Sequence, residues 1–348
     1  MLDHTRETTA AMPPSARPRP PVAVVQPLPG IGDMVWHLSH IRAIAEWIGS
    51  PVTILTKPRT LADQLFEGSP HVSDVDWIDV NPSGRRGTHD GVDGFVRLVR
   101  LLRHRRFQTI VILHHSRTLA MAAWAAGIPD RRGYGWGAQH YFLNRGPFLP
   151  SRIGRLHQLK RATAYLKAAG IPLSSDEPFL TIPTARRETA RARLRLAGPF
   201  IAMGIGSSEP QRNWGVAKFS ALAAELLAAG WPDIVLLGGP DDHQAAEAIA
   251  AASDPRHVHP ALGWHLAEAS AVVSEAAFCV ANNTGMMNIA AAAGTRTYGV
   301  FGTTFPFDHA SEIRRIMAPD IGIDDGAGRV SLDMVRAAIL ADRGRLAP

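Results

Sequence analysis

The chain reads as an α/β protein built from two Rossmann-like halves that face each other across a cleft. Three observations carry this reading. Short apolar runs alternate with amphipathic helical segments in both halves of the 348 residues. Polar, glycine-containing turns follow directly on three of the apolar runs, where open parallel sheets present their strand ends. A proline-bearing stretch with Pro172, Pro178 and Pro183 interrupts the alternation at mid-chain. The length is enough for two domains, each with its own core. The expected division is a disordered, Pro-rich polar leader over 1–20, an N-terminal domain over 21–170, a linker region over 171–198, a C-terminal domain over 199–330 and a closing helix within 331–348.

In order, residues 22–26 form an apolar strand, 27–33 a turn, and 34–47 a helix whose Val35, Leu38, Ile41 and Ile44 make a core-facing stripe. Strands follow at 52–56, 75–78 and 109–113, with helices at 61–66, 92–103, 120–126 and 157–169. After the extended stretch 170–184 and a charged helix over 186–196, the alternation resumes with strands at 200–204 and 234–237 and helices at 216–229, 241–252 and 266–274. Residues 276–281 are an apolar run, 286–293 an alanine-rich helix, 297–301 a further strand and 332–341 the last helix. Such alternation gives mostly parallel sheets with helices on both faces.

Composition excludes several classes. At 46% hydrophobic and 20% charged residues the chain is ordinary for a globular protein. Cys279 is the sole cysteine and lies in an apolar run, so a disulfide framework is excluded and a small buried core residue is expected there. No run approaches the 18 or more apolar residues of a membrane span, and no signal-peptide pattern is present, so the expected location is the cytoplasm. The net charge of +6 is uneven: residues 1–160 hold 20 Lys and Arg against 12 Asp and Glu. Arg85, Arg86, Arg97, Arg100, Arg103, Arg105 and Arg106 contribute to this excess. A solvated basic helix, or an N-terminal half that meets an anionic partner or membrane face, would account for it. Nucleic acid is not expected, because no binding module and little aromatic interleaving accompany the basic stretch. The fifteen histidines are scattered; His114 and His115 are adjacent and would point to opposite faces of a strand.

The motif richest in chemistry is the run ending in Asn282-Asn283-Thr284-Gly285 before a helix, then a second strand. Backbone N–H groups and the helix dipole at such a helix start make a cradle for phosphate. Asn283 or Thr284 acting only as a helix cap is the structural alternative. Pro29-Gly30-Ile31-Gly32-Asp33 is a second turn, where Gly30 and Gly32 allow a tight bend and Asp33 stands at a helix start, either as a cap or as a carboxylate able to take a proton. Only two of the glycines of a G-x-G-x-x-G fingerprint are present, with Val35 at the third place. Ser207 and Ser208, followed by Arg212-Asn213-Trp214, supply small polar groups and a cation that can wrap a phosphate. Gly238-Gly239-Pro240-Asp241-Asp242 allows close approach by a nucleoside, or is a plain strand-to-helix turn.

In this order and spacing these motifs resemble glycosyltransferase family 9, the heptosyltransferases of lipopolysaccharide core assembly, over about Val22 to Asp308. The marks are the strand–GIGD–helix opening, the small-residue loop before Arg212, GGPDD, His157 at the start of a helix, and the N-T-G-x-x-N-x-A-A-A segment running to Thr304. The resemblance implies a GT-B fold with the acceptor bound mainly by the N-terminal domain and the nucleotide sugar mainly by the C-terminal one. It implies an inverting transferase that needs no metal or cofactor and uses an ADP-activated heptose or similar sugar. Asp33 would be the general base, Arg212 a donor-phosphate contact, and Thr284 and Gly285 the seat of the leaving diphosphate, with Ser207, Ser208, Gly239, Asn283 and Asn288 also on the donor side and Gly30 and Gly32 on the acceptor side. The family usually reads D-T-G-x-x-H, so Asn283 and Asn288 stand in place of Asp and His.

The functional expectation is therefore transfer of a sugar from a nucleotide diphosphate to a hydroxyl of an anionic glycolipid or glycan, with peripheral contact at the cytoplasmic face of the inner membrane. A catalytically silent nucleotide-sugar-binding protein and a two-domain sugar-nucleotide epimerase are the alternatives; retention of Asp33 and Arg212 argues against the silent one.

Overall fold

The computed structural model describes residues 20–81, 85–302, 309–319 and 326–342. The expected leader, apart from Pro20, and the family-like positions Thr304 and Asp308 lie outside these residues.

Two all-parallel sheets organise the chain. The first contains β1 (Val22–Val25), β2 (Val52–Thr56), β3 (Val72–Trp77), β4 (Thr109–Ile112) and β5 (Asp130–Gly133) in the order β3-β2-β1-β4-β5. The second contains β6 (Phe200–Gly204), β7 (Asp233–Gly238), β8 (Val258–Leu262), β9 (Cys279–Asn282), β10 (Thr297–Phe301) and β11 (Ile313–Met317) in the order β11-β10-β9-β6-β7-β8. Around the first sheet lie α1 (Ile31–Val35), α2 (Leu38–Ile48), α3 (Ala62–Leu65), α4 (Gly91–Arg105), α5 (Arg117–Ala125) and α6 (Gln158–Ala168). Around the second lie α7 (Thr184–Leu194), α8 (Val216–Ala228), α9 (His243–Ala252), α10 (Leu266–Ser274), α11 (Gly285–Ala292) and α12 (Leu332–Ala341).

The central strands read as continuous apolar runs because both faces are covered. In β1, Val22 and Val24 pack into one apolar cluster while Ala23 and Val25 enter another on the opposite face. In β6, Phe200 and Ala202 likewise separate from Ile201 and Met203. The first of these clusters runs without interruption from β1, α1 and α2 through α6, α7 and α10 to α11 and the second sheet, so the two halves share apolar packing. Polar contacts reinforce it: Ser39 donates to the Glu177 carbonyl at 2.6 Å, Leu180 to the Ala292 carbonyl at 2.7 Å, and Arg186 holds Glu67 through both guanidinium nitrogens.

Strands β5, β8 and β11 were not expected from the sequence, and β3 begins earlier than expected. All four are sheet edges. An edge strand needs no continuous apolar run, and β8 even carries Pro260, which only an edge tolerates. The helix expected over 34–47 starts at Ile31 and is broken at Trp36-His37. The Asp33 carbonyl, which would have accepted the His37 N–H, instead accepts from the His37 ring Nδ1 at 2.7 Å and the Gln26 amide at 3.1 Å. Side chains inserted into the helix ladder thus separate α1 from α2.

His37 and His40 are both fully enclosed on the buried side of this break, and burial lowers their pKa to about 4 and about 3. With folded-state values below the unfolded 6.5, the stabilisation they give the neutral fold is complete above pH 6.5 and declines as pH falls below it. Each should remove about 1.4 kcal/mol of stability per pH unit over this window. Thermal denaturation between pH 6.5 and 5 is expected to show a falling Tm, with a shallower slope in His40→Gln; a flat profile in the parent protein would show that water reaches these rings. The glycine at the start of α11 gives a second expectation. A Cβ on Gly285 would lie 2.8 Å from the Ile31 Cβ across the two halves. Gly285→Ala should cost about 1–3 kcal/mol, read as a lower Tm, and Ile31→Ala in the same chain should recover part of the loss.

Candidate functional site

In each sheet the strand order reverses direction beside the first strand, between β1 and β4 and between β6 and β9. Ligands of open α/β sheets bind outside the strand ends at such points. The Asp33 turn follows β1, His114 and His115 follow β4, the Ser207 loop follows β6, and Asn283-Thr284-Gly285 follows β9. The topology therefore gathers the motifs at the two reversal points.

Asp33 is the third residue of α1, and its Oδ2 accepts the Gly30 N–H at 2.8 Å. Burial raises its pKa above the ordinary carboxylate value, opposed by the Gly30 hydrogen bond and by the Arg212 cation from the other half. The carboxylate is thus both a helix-start partner and a group of raised basicity facing a cation. Gly30 and Gly32 have no left-handed backbone, so the expected tight-turn role is not what requires glycine here. A Cβ on Gly32 would sit 2.9 Å from the Asn288 Nδ2, and one on Gly30 2.8 Å from the Asp33 Oδ2. Room for the opposing half and for the carboxylate is the reason for these residues.

Across from Asp33, α11 begins at Gly285 with Thr284 at the cap position. The Thr284 hydroxyl makes no capping bond to the helix and instead donates to the Asn282 carbonyl at 3.4 Å. The first-turn N–H groups of α11 are therefore not taken up by a side-chain cap, which leaves donors for a ligand. Asn283 is half-buried and tied by its backbone N–H to the Val300 carbonyl at 3.2 Å. Asn288 is buried and fully engaged: its Nδ2 donates to the Thr284 carbonyl at 3.0 Å, and its Oδ1 accepts from the Trp36 indole at 3.0 Å. Because indole only donates, this contact fixes the amide orientation, and the His309 Nε2, 2.6 Å from the same oxygen, is the protonated nitrogen. The Trp36 ring stands edge-on to His157 and His309, with centroids 4.3 and 5.8 Å away. Trp36 and His309 gave no signal in the sequence beyond the helical offset of Trp36 from Asp33.

Arg212 is held by the turn that Asn282 clamps. The buried Asn282 amide accepts from the Trp214 N–H at 2.9 Å and donates to the Ile205 carbonyl at 2.7 Å, while the Trp214 indole donates to the Val330 carbonyl at 2.8 Å. Gly302 and Gly326 leave room for the Gln211 carbonyl, which added Cβ atoms would meet at 2.9 and 3.0 Å. Arg212 Nε lies 3.0 Å from the Glu209 carboxylate, and its side chain is about one-third exposed. Ser207 turns its hydroxyl onto the Glu209 carbonyl at 2.7 Å, while Ser208 is exposed. In the GGPDD turn, Asp242 accepts the Gly239 N–H at 2.7 Å, and Gly206 and Gly238 leave room for the same carboxylate. These contacts build the strand-to-helix connection of the turn.

The N-terminal wall is rich in neutral imidazoles and cations. His114 and His115 lie beyond the end of β4 with ring centroids 4.3 Å apart. The expectation of opposite faces fails because neither residue is in the strand. Burial lowers the pKa of His114 to about 3 and of His157 to about 4, and Arg161 opposes protonation of both. Lys57, at the end of β2, also bears on His114. Cys279 is buried with its thiol pushed up to about 12, an inert core residue.

A family model described as glycosyltransferase family 9 (heptosyltransferase) matches residues 95–311. Lipopolysaccharide heptosyltransferase 2 of Salmonella typhimurium is 24% identical over 239 residues, covering 64% of this chain and 68% of the relative. Among solved structures, a family 9 glycosyl transferase of Veillonella parvula superposes with a TM-score of 0.76 at 17% identity, over 95% of this chain and 98% of that one. An Escherichia coli heptosyltransferase bound to ADP-2-deoxy-2-fluoro heptose gives 0.71 at 18% identity, over 92% and 99%. The fold is GT-B, and no helix among the described residues is long and apolar enough to cross a membrane. With its family model spanning more than half of the sequence, the chain belongs to glycosyltransferase family 9, the heptosyltransferases.

Proposed function

We propose that this glycosyltransferase moves a heptose or similar sugar from an ADP-linked donor to a hydroxyl of an anionic, lipopolysaccharide-core-like glycolipid, with inversion at the anomeric carbon. One juxtaposition carries the reading: a carboxyl of raised basicity on α1 lies within the field of Arg212 and against the uncapped start of α11. The solved E. coli relative with an ADP-heptose analogue supports ADP as the carrier.

In the proposed step the acceptor hydroxyl oxygen attacks the anomeric carbon from the face opposite the diphosphate. The new glycosidic bond forms as the bond to the β-phosphate oxygen breaks, and its electron pair leaves with ADP. Asp33 takes the hydroxyl proton. Arg212 and the first-turn N–H groups of α11, with Thr284 and Gly285, neutralise the charge growing on the leaving group. The proposal needs no metal or further cofactor. Lys57 and Arg161 suit a phosphorylated acceptor, and peripheral contact with the cytoplasmic face of the inner membrane follows from a lipid-borne one.

ADP should stabilise the protein in a thermal-shift panel more than GDP or UDP, and Arg212→Ala should weaken that response. Preference for GDP or UDP would assign a different donor. Asp33→Asn should lower turnover by about 10²–10⁴-fold with ADP affinity retained; an undiminished rate would remove Asp33 from the base role. The base must be ionised, so its raised pKa places the acid limb of the rate profile above the ordinary carboxylate range. Loss of the Arg212 cation should move that limb to still higher pH.

A further inference from the structure

The reaction assigns no task to an exposed aromatic surface on the N-terminal half, and we propose that this surface docks the enzyme on an anionic lipid bilayer. The inference rests on the reading of a lipid-borne acceptor and identifies where the protein meets the lipid.

The outward stripe of α5 carries Arg117, Met121 and Trp124 at positions i, i+4 and i+7, with Trp124 56% exposed. Its indole lies 5.9 Å from the Phe142 ring, on the short turn of helix that packs beside α5. That turn continues the surface through His140, whose ring is 3.9 Å from Tyr141 and 6.5 Å from Phe148. Tyr141 is 75% exposed and Phe148 47%. Single exposed aromatics are ordinary, but two ring clusters, Trp124–Phe142 and His140–Tyr141–Phe148, meet at the adjacent residues Tyr141 and Phe142 and form a patch that water does not favour.

Charge selects the occupant. Between residues 94 and 175 the sequence holds fourteen Lys and Arg against Asp130 alone. Asp130 is itself gripped by Arg132 through two guanidinium nitrogens. Arg117 and Arg145 are exposed on these segments, and Arg152 and Arg155 are exposed on the turn of helix Ser151–Arg155 that follows them. Arg103 of α4 donates to the Ala125 carbonyl at 2.7 Å, bringing a further cation to the end of α5 beside Trp124. Tyr and Trp seated at headgroup level and Arg facing acidic headgroups are the two contributions a bilayer surface rewards.

Position fits the reaction. The loop that displays Tyr141 and Phe148 also carries Trp136, whose ring lies 5.1 Å from Tyr134 and 6.1 Å from His115 on the cleft wall. Trp136 is anchored by its indole N–H to the Leu149 carbonyl at 2.8 Å. Docking through the outer side of this loop would deliver a lipid-borne hydroxyl along its inner side toward Asp33.

The test is co-sedimentation of the full chain with vesicles of phosphatidylglycerol and phosphatidylethanolamine, and with vesicles of phosphatidylcholine alone. Binding is expected to the first and not the second, and to weaken as salt is raised. Neutralising Arg117, Arg145 and Arg152 to Gln should lower the partition coefficient about fivefold per residue. Trp124→Ser/Tyr141→Ser/Phe148→Ser should lower it at least about tenfold, with the ADP thermal shift unchanged. Equal partition to both vesicle types, or parental binding by these variants, would overturn the proposal. A dimer in light scattering that the aromatic variant dissolves would overturn it in favour of self-association. Vesicle binding that persists without any ADP response would support the surface while counting against the proposed donor.

Discussion

The geometry of the candidate site depends on the approach of α1 to α11. Two helix starts from different halves come so close that side chains at Gly32 and Gly285 would collide with Asn288 and Ile31. At this distance the Trp36 indole reaches the Asn288 amide, and the field of Arg212 reaches Asp33. The close approach sets two requirements at once. It withdraws the Asp33 carboxyl from water enough to raise its basicity, and it leaves the α11 first turn facing the same cleft. Glycine is needed at these positions for interpenetration of the halves, a different demand from the left-handed turns that glycine usually serves.

Burying polar groups around that contact requires partners, and the structure supplies them by unusual routes. The Asp33 carbonyl draws the His37 ring and the Gln26 amide, which ends α1 after five residues and turns the chain into α2. Asn282 bonds the Arg212–Trp214 turn and the loop after β6 with one amide. The imidazoles His37, His40, His114 and His157 are kept neutral by burial. His37 and His40 are enclosed at the start of α2, whereas His114 and His157 keep partial exposure and carry no charge at neutral pH beside the Arg161 cation.

How much was legible in the sequence followed from what each segment must bury. The central strands announced themselves because residues such as Val22 to Val25 are covered on both faces. The edge strands did not, since Asp130-Arg131-Arg132-Gly133 and the Pro260-bearing β8 satisfy their backbones with little apolar content. Asp33, Arg212 and the Thr284 turn were visible as local motifs at strand ends. Trp36 and His309 were not, because their meeting at Asn288 joins residues 252 and 21 positions away in the chain. The glycines of GGPDD were visible, but their task of enclosing Asp242 depends on Gly206 arriving from another loop.

Asparagine at positions 283 and 288 brings neutral amides to the start of α11. The Asn288 oxygen accepts from two donors while its nitrogen satisfies the Thr284 carbonyl, a combination that one imidazole ring cannot reproduce with its two nitrogens. The amide therefore secures the contact between the halves in a way that does not vary with pH. Asn283 adds no carboxylate beside the start of α11, so in the proposed reaction a diphosphate there would meet one negative charge fewer than with aspartate at this position. Asp33 titrates, as neither asparagine does, and under the proposed role it would be the point at which proton concentration enters the chemistry. In the proposed reaction, phosphate oxygens drawing on the Arg212 guanidinium would weaken its hold on Asp33, whose pKa burial raises and Arg212 lowers, and the carboxylate would become more basic as the donor arrives.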